Sequence, residues 1–575
     1  MANKKGLLIA TLIILIIVVA VTLALVFTLK KDDDNNKSLP TSSFKVVQTK
    51  QGGIEGKIIK VTRDDGKTEN VYRFRNVPYA EPPIGDLRWK APKPIQKQSK
   101  TLKYSDQQIW CAQIQTPNNI INITEDCLIL TIRQPESATP DQPLPVLFWI
   151  HGGALARGSS DWYYPDEQTS ASLGMVTVSI NYRLGIFGFL SIKELWSTND
   201  GEEGQYGNFG ILDMIEALKW VKMNIQSFGG DPNKVTILGE SGGGAAVFSL
   251  ITSPLTDGLF NKAIAASGYP VSLETTYQRA DSRYGSSFKE DLRCSNGNDG
   301  DVMTCLREKT MTSILDKDPS MMRPLNESSW VFPFNRRLND YPIRVIDDEI
   351  INTPLGSPGK YLQKDLKVLI GNTAAELPPQ NATKTIQGLE EFLKPRILSF
   401  TDMDTYEELM NLYRQKRPDD KTSPADITPQ LVYLQMAADI VLSCQTNDIV
   451  HNISLESNLT VYRYLHSQPL SENQNDDNEF ESTAYHGIDT DVLFGIKYYY
   501  PDYNITDSDQ KLILNFRQIV KDFVYGAPEF ETTYTNKTIE FWDDRILTWD
   551  KPYHEKECKV LGDNGFLKRA WGQLG

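Results

Sequence analysis

The sequence predicts an α/β fold with a central, mostly parallel sheet flanked by helices, preceded by one N-terminal transmembrane helix. Three observations carry this expectation. Short apolar segments rich in β-branched residues alternate with helix-spaced segments; a glycine-rich turn follows one of those strands at residues 239–244; and a long uncharged apolar stretch opens the chain.

That opening stretch, Gly6 to Leu29, has 24 residues without a charge, and about 20 span a bilayer as a helix. It is longer than the apolar region of a cleaved signal peptide and lacks a small-residue cleavage site, so it reads as an uncleaved signal anchor. Residues 1–5 would be a short cytoplasmic tail. Lysines flank the stretch on both sides (Lys4, Lys5, Lys30, Lys31), so charge alone does not orient it. Asn-X-Ser/Thr acceptors at Asn122, Asn326, Asn381, Asn452, Asn458, Asn504 and Asn536, with Asn36 nearer the membrane, favour a lumenal or extracellular route. The expected topology is therefore a single-pass type II membrane protein. Residues 30–43 are a polar tether, and the folded part, 44–575, reads as one domain without internal repeats.

Six cysteines agree with an oxidising compartment. The expected pairs are Cys111 with Cys127, Cys294 with Cys305, and Cys444 with Cys558, although six cysteines permit 15 pairings, and none shows metal-type C-x-x-C spacing.

Within the folded part, "PVLFWI" (145–150), "MVTVSINY" (175–182), "KVTIL" (234–238) and "KVLIG" (367–371) read as strands buried on both faces. Ile211, Ile215, Leu218, Val221 and Ile225 recur at helical spacing between them. The polar stretches "KRPDDKTSP" and "SENQNDDNEFES" read as surface loops. A net charge of -14 without a basic block in the body excludes nucleic acid as an expected partner, and no cofactor or metal is implied.

The chemistry centres on "GESGGG", a Gly-X-Ser-X-Gly run with Ser241 between a strand and a helix-compatible stretch. A serine on such an elbow needs oxyanion donors, a base and an acid. "WIHGGALARGSS", directly after the strand 145–150, offers the N–H groups of Gly153 and Ala154, which with that of Gly242 could converge on a developing alkoxide. Only five histidines are available as base. His151 sits in the oxyanion loop, His451 adjoins a sequon, His466 ends a strand-like run, and His554 lies beside Cys558. His486, in "AYHGIDTDVLFG", follows a long polar loop and precedes a glycine, so it is the expected base. The acid should fall between 241 and 486, and Glu376, just past a predicted strand, is the best candidate.

In "FRNVPYAEPPIGDLRW", "EDCLIL", "IHGGALARGSS", "NYRLGIFGFL", "GNFGILDMIEALKWVKMNIQSFGGDPNKVTILGESGGG" and "YHGIDTDVLFG", taken in order, the chain resembles the type-B carboxylesterases and cholinesterases of the α/β-hydrolase fold. The resemblance implies Ser241 as nucleophile, His486 as general base, Glu376 as its orienting acid, and Gly153, Ala154 and Gly242 as oxyanion donors. It also implies the same three disulfides and an Arg88–Glu125 salt bridge beside the first of them. Two departures stand out. The family usually has Asp-Glu-Gly around the acid where this chain has Ala375-Glu376-Leu377, and Ser-Ala-Gly is commoner than Ser241-Gly242-Gly243.

The loop "AQIQTPNNIINITED" has no tryptophan, and Trp110 precedes it. In the cholinesterases this chain resembles, that loop is longer and carries the tryptophan whose face binds the quaternary ammonium, so the resemblance implies a broad carboxylesterase acting on a small-molecule ester rather than a choline esterase. The other reading is a neuroligin-like cell-surface adhesion protein. Members of that kind usually carry a C-terminal transmembrane helix and no nucleophilic serine, and this chain differs on both counts. The acyl and alcohol specificity, the oligomeric state and the role of Gly244 are not legible.

Overall fold

The computed structural model describes residues 44–114, 122–162, 164–196, 206–268, 274–295, 299–318, 344–347, 350–351, 365–377, 383–399, 401–415, 428–456, 459–471, 483–495, 503–534, 537–542, 545–550, 552 and 554–569. Residues 1–45 and 46–575 separate into two units, and of the first only Phe44 and Lys45 are described. The expected anchor at 6–29 and most of the tether lie outside the described residues, among which no helix is long and apolar enough to cross a membrane.

The second unit is organised on one large sheet. Its strands include β1 (Gly52–Thr62), β2 (Thr68–Pro78), β3 (Ile129–Pro135), β4 (Leu144–Ile150), β5 (Val176–Ile180), β6 (Gly230–Glu240), β7 (Lys262–Ala266), β8 (Lys367–Thr373), β9 (Thr460–His466), β10 (Thr538–Trp542) and β11 (Arg545–Trp549). They lie in the order β1-β2-β3-β5-β4-β6-β7-β8-β9-β10-β11. Every neighbouring pair from β5 to β10 is parallel, while β1/β2, β2/β3, β3/β5 and β10/β11 are antiparallel. The expected mostly parallel centre is present, with antiparallel strands at both edges.

The helices that cover the sheet and its loops include α1 (Phe209–Asn224), α2 (Gly242–Thr252), α3 (Pro429–Ala438), α4 (Cys444–Glu456), α5 (Ile488–Phe494), α6 (Asp507–Tyr525) and α7 (Glu555–Asp563). The pleat explains why the central strands are apolar throughout. Val146, Phe148 and Ile150 of β4 enter one core with Ile211, Ile215, Leu218 and Val221 of α1, while Leu147 and Trp149 enter another with Phe516, Val520 and Phe523 of α6. Both faces of the strand are thus buried, each beneath its own helices.

Because these strands are parallel, their carboxyl ends share one edge. Ile150 is level with Gly239, Glu240 with Ala266, Ala266 with Gly371, and Thr373 with His466. The loops that leave this edge are where open α/β sheets gather their ligands.

Candidate active site

Ser241 stands between the last residue of β6 and the first of α2, at φ 54° and ψ −120°. That conformation is sparsely populated by residues with a Cβ and must be enforced by its surroundings. The Ser241 N–H donates to Ala266 O (2.9 Å), and its carbonyl accepts from Ala245 N (2.9 Å). Close approach explains the glycines around it. A Cβ on Gly239 would lie 2.3 Å from Gly243 O, and one on Gly243 2.1 Å from Ile150 O. Gly244 now has a role as well: its Cβ would stand 2.8 Å from Gly268 Cα, where α2 opens against the chain leaving β7.

The loop after β4 closes on this elbow. A Cβ on Gly152 would lie 3.1 Å from Ser241 Cβ, and one on Gly242 2.8 Å from Ala154 N. Gly153, Ala154 and Leu155 all have positive φ, at 99°, 57° and 59°. This turns the loop's N–H groups inward: those of Gly153, Ala154 and Gly242 donate to no acceptor among the described residues. The loop is held from behind by buried Gln113, whose side chain accepts from Gly158 N (2.9 Å) and donates to Gly158 O (2.9 Å) and Cys111 O (3.0 Å). His151 is part of this support. Its ring stacks on Tyr182 at 4.4 Å, and burial pushes its pKa down to about 4, so it stays neutral.

Glu376 and His486 are brought together. The His486 Nδ1–H donates to Glu376 Oε2 (2.5 Å), and the other carboxylate oxygen accepts from Thr373 N (2.7 Å) and Ser267 Oγ (2.9 Å). The Ala-Glu-Leu setting serves the carboxylate well. The Ala375 N–H donates to Ala484 O (3.1 Å), which stitches the Glu376 loop to the His486 loop, while Ala375 and Leu377 bury their side chains in a third apolar cluster. The other histidines lie elsewhere: His451 is exposed on α4, His466 is buried at the end of β9, and His554 bonds Asp439 at 2.5 Å.

The Nε2 of His486 faces Glu240 Oε1 at 3.2 Å, and among the described residues the Ser241 hydroxyl makes no hydrogen bond. Burial pushes the Glu240 carboxyl up to about 8. For His486, burial alone would lower the pKa, but the carboxylates of Glu240 and Glu376 outweigh it and raise it to about 9. Since 24% of the His486 side chain is exposed, water screens part of that attraction. Two further acids follow on α5, both raised mainly by burial: Asp489, to about 6, accepts from Tyr464 Oη (2.7 Å), and Asp491, to about 7, from Tyr485 Oη (2.5 Å). Sequence reading missed this carboxylate shell and the supporting Ser267. The signal was there in "HGIDTD", with acids three and five residues past the histidine.

The three expected disulfides, Cys111–Cys127, Cys294–Cys305 and Cys444–Cys558, are all present. Arg88 holds Glu125 in a two-pronged bridge of 2.6 and 2.7 Å. Trp110 stacks on Trp162 at 6.0 Å. Among the described residues no cluster of His, Cys, Asp and Glu is arranged to hold a metal ion.

Comparison with known proteins gives a match of residues 43–552 to the family described as the carboxylesterase family. Among curated proteins, the chain is similar to liver carboxylesterase B-1 of Rattus norvegicus, 37% identical over 289 residues that are 48% of this chain and 49% of that protein. It is also similar to liver carboxylesterase 1 of Oryctolagus cuniculus, 35% identical over 284 residues, 47% of this chain and 48% of that one. Carboxylesterase 1D of Mus musculus matches at 36% over 289 residues, 48% of this chain and 49% of its own. The chain spans about half the length of the curated relatives it matches.

Proposed function

The chain belongs to the carboxylesterase family, and on that premise we propose that it is a membrane-anchored serine ester hydrolase working through an acyl-enzyme. One observation carries the reading. A hydrogen-bonded Glu376–His486 pair faces, through Nε2, the Glu240 that precedes Ser241 on its strained turn, and the adjacent loop carries N–H groups that meet no acceptor among the described residues.

In this mechanism Ser241 Oγ attacks the ester carbonyl while His486 Nε2 takes its proton, and Glu376 holds the ring by Nδ1. The N–H groups of Gly153, Ala154 and Gly242 stabilise the negative oxygen of the tetrahedral intermediate. His486 then protonates the departing alcohol, and water repeats the cycle to release the acid. The cycle requires neutral His486, so its Nε2 must leave Glu240 and turn to the serine. The substrate is a small carboxylic ester, with a broad carboxylesterase preferred over a choline esterase for want of a tryptophan in the first disulfide loop.

Anchoring rests on the apolar run 6–29, with 1–5 cytoplasmic and 44–575 lumenal or extracellular. Three disulfides and exposed sequon asparagines at Asn122 and Asn504 support that side of the membrane.

Treatment of the full chain with a fluorophosphonate probe tests the nucleophile. Labelling of wild type and none of Ser241→Ala is expected, and Glu376→Gln should lower kcat by about 10³- to 10⁴-fold. Equal labelling of wild type and Ser241→Ala would sink the assignment.

A further inference from the structure

Arg157 lies four residues beyond Gly153, on the loop that closes over Ser241. Its backbone N–H donates to Gly153 O (3.1 Å), and its Cγ is 2.9 Å from where a Cβ on Gly153 would stand. The side chain therefore rises from the oxyanion loop itself. Its exposed guanidinium sits over the Trp162 ring, 5.9 Å from the centroid, and Trp162 stacks on Trp110. The Gln113 strap described above ties residue 158 to Cys111 and so keeps the two tryptophans face to face.

Two donors on this aromatic wall lack acceptors among the described residues. Arg157 makes no ion pair with a carboxylate among the described residues, and the nearest acid in sequence, Asp161, is occupied by Arg75 at 2.6 Å. Trp110, 7% exposed, has a buried indole N–H with no hydrogen-bond partner. A buried donor without an acceptor is costly in a folded protein and calls for an explanation. An arginine held on an aromatic face is suited to gripping a planar carboxylate through two parallel N–H donors.

We propose that Arg157, seated on the Trp162 and Trp110 wall, recognises a carboxylate carried by the substrate away from its ester bond, so that the site prefers anionic esters to neutral ones of the same shape. This rests on the ester-hydrolase reading of Ser241 and deepens it. The carboxylates around His486 bear negative charge or share protons at the reacting end, so an anionic group is accommodated only where a cation meets it. Arg157 supplies that cation at the rim of the loop.

The test compares esters matched in shape on the full chain: 4-nitrophenyl hemiglutarate against 4-nitrophenyl valerate for the acyl side, and 4-carboxyphenyl acetate against phenyl acetate for the alcohol side. In wild type, the anionic-to-neutral ratio of kcat/KM should fall as salt is raised to about 0.5 M, because exposed charges are screened. In Arg157→Gln the ratio for at least one pair should fall about tenfold or more, through KM, with Arg157→Lys in between. A wild-type ratio indifferent to salt, or ratios within about twofold of wild type for both pairs in Arg157→Gln, would overturn the proposal. Hydrolysis of none of the four esters would remove the ester-hydrolase reading, and the proposal with it.

Discussion

Glu240 holds two parts of the site at once. One carboxylate oxygen is 3.2 Å from His486 Nε2, and the other would be 2.5 Å from a Cβ on Gly152 of the oxyanion loop. The residue was visible in the sequence only as the neighbour of the nucleophile. Its grip on the base depends on a side chain crossing from β6 to the loop before α5, which no local pattern announces. Ser241 and His486 were legible because a strand-turn-helix motif and a shortage of histidines left few choices, and Glu376 because chain order bracketed it. Arg157 and Trp162 were not, since their meaning comes from the fold that faces them. As Glu240 favours the imidazolium, Glu240→Gln should lower the pKa of His486 from about 9 toward its ordinary 6.5. The acid limb of kcat/KM then moves to lower pH, and an unmoved limb in the pH profile would separate Glu240 from the base.

At the level of elements, the predicted strands are all present, because a run apolar on both faces has little choice but the middle of a parallel sheet. The differences lie at the ends. β6 starts at Gly230, level with Leu144 and four residues before the predicted strand; the turn residues "DPN" then break the register, and regular pairing with β4 resumes at Val235 opposite Val146. The helical cluster around α3 and α4 is less legible, as its register is set by tertiary contacts and by the Cys444–Cys558 bond, which spans 114 residues and ties α4 to α7. Closing so long a loop restricts the unfolded chain, so replacing both cysteines with alanine should cost about 4 kcal/mol. Urea unfolding of the double variant beside wild type measures it, and the largest loss of protection from hydrogen exchange should fall in α3, α4 and α7.

Across the whole molecule, two histidines are buried as neutral rings. His151 is pushed down to about 4 and His466 to about 3, in each case mainly by burial. In the unfolded chain both titrate near 6.5, so below that pH the unfolded state takes up more protons, and stability falls as pH drops from 6.5 toward these values. His486 acts in the opposite sense, with a contribution present below 6.5 and lost as pH rises through about 9. Replacing His466, which stacks on Phe541 at 5.9 Å, with phenylalanine should therefore preserve more of the Tm between pH 6.5 and 4 than wild type keeps, as read by calorimetry at each pH. The oxyanion contact has a further reach. A Cβ on Gly242 would stand 2.8 Å from the backbone nitrogens of Ala154 and Leu155 and 3.0 Å from Ala154 Cα, so it meets the loop's main chain rather than a side chain. The commoner alanine at 242 is thus closed to this chain unless the backbone of the 152–158 loop shifts first, so the order of mutational steps matters between two stretches that local sequence would treat as independent.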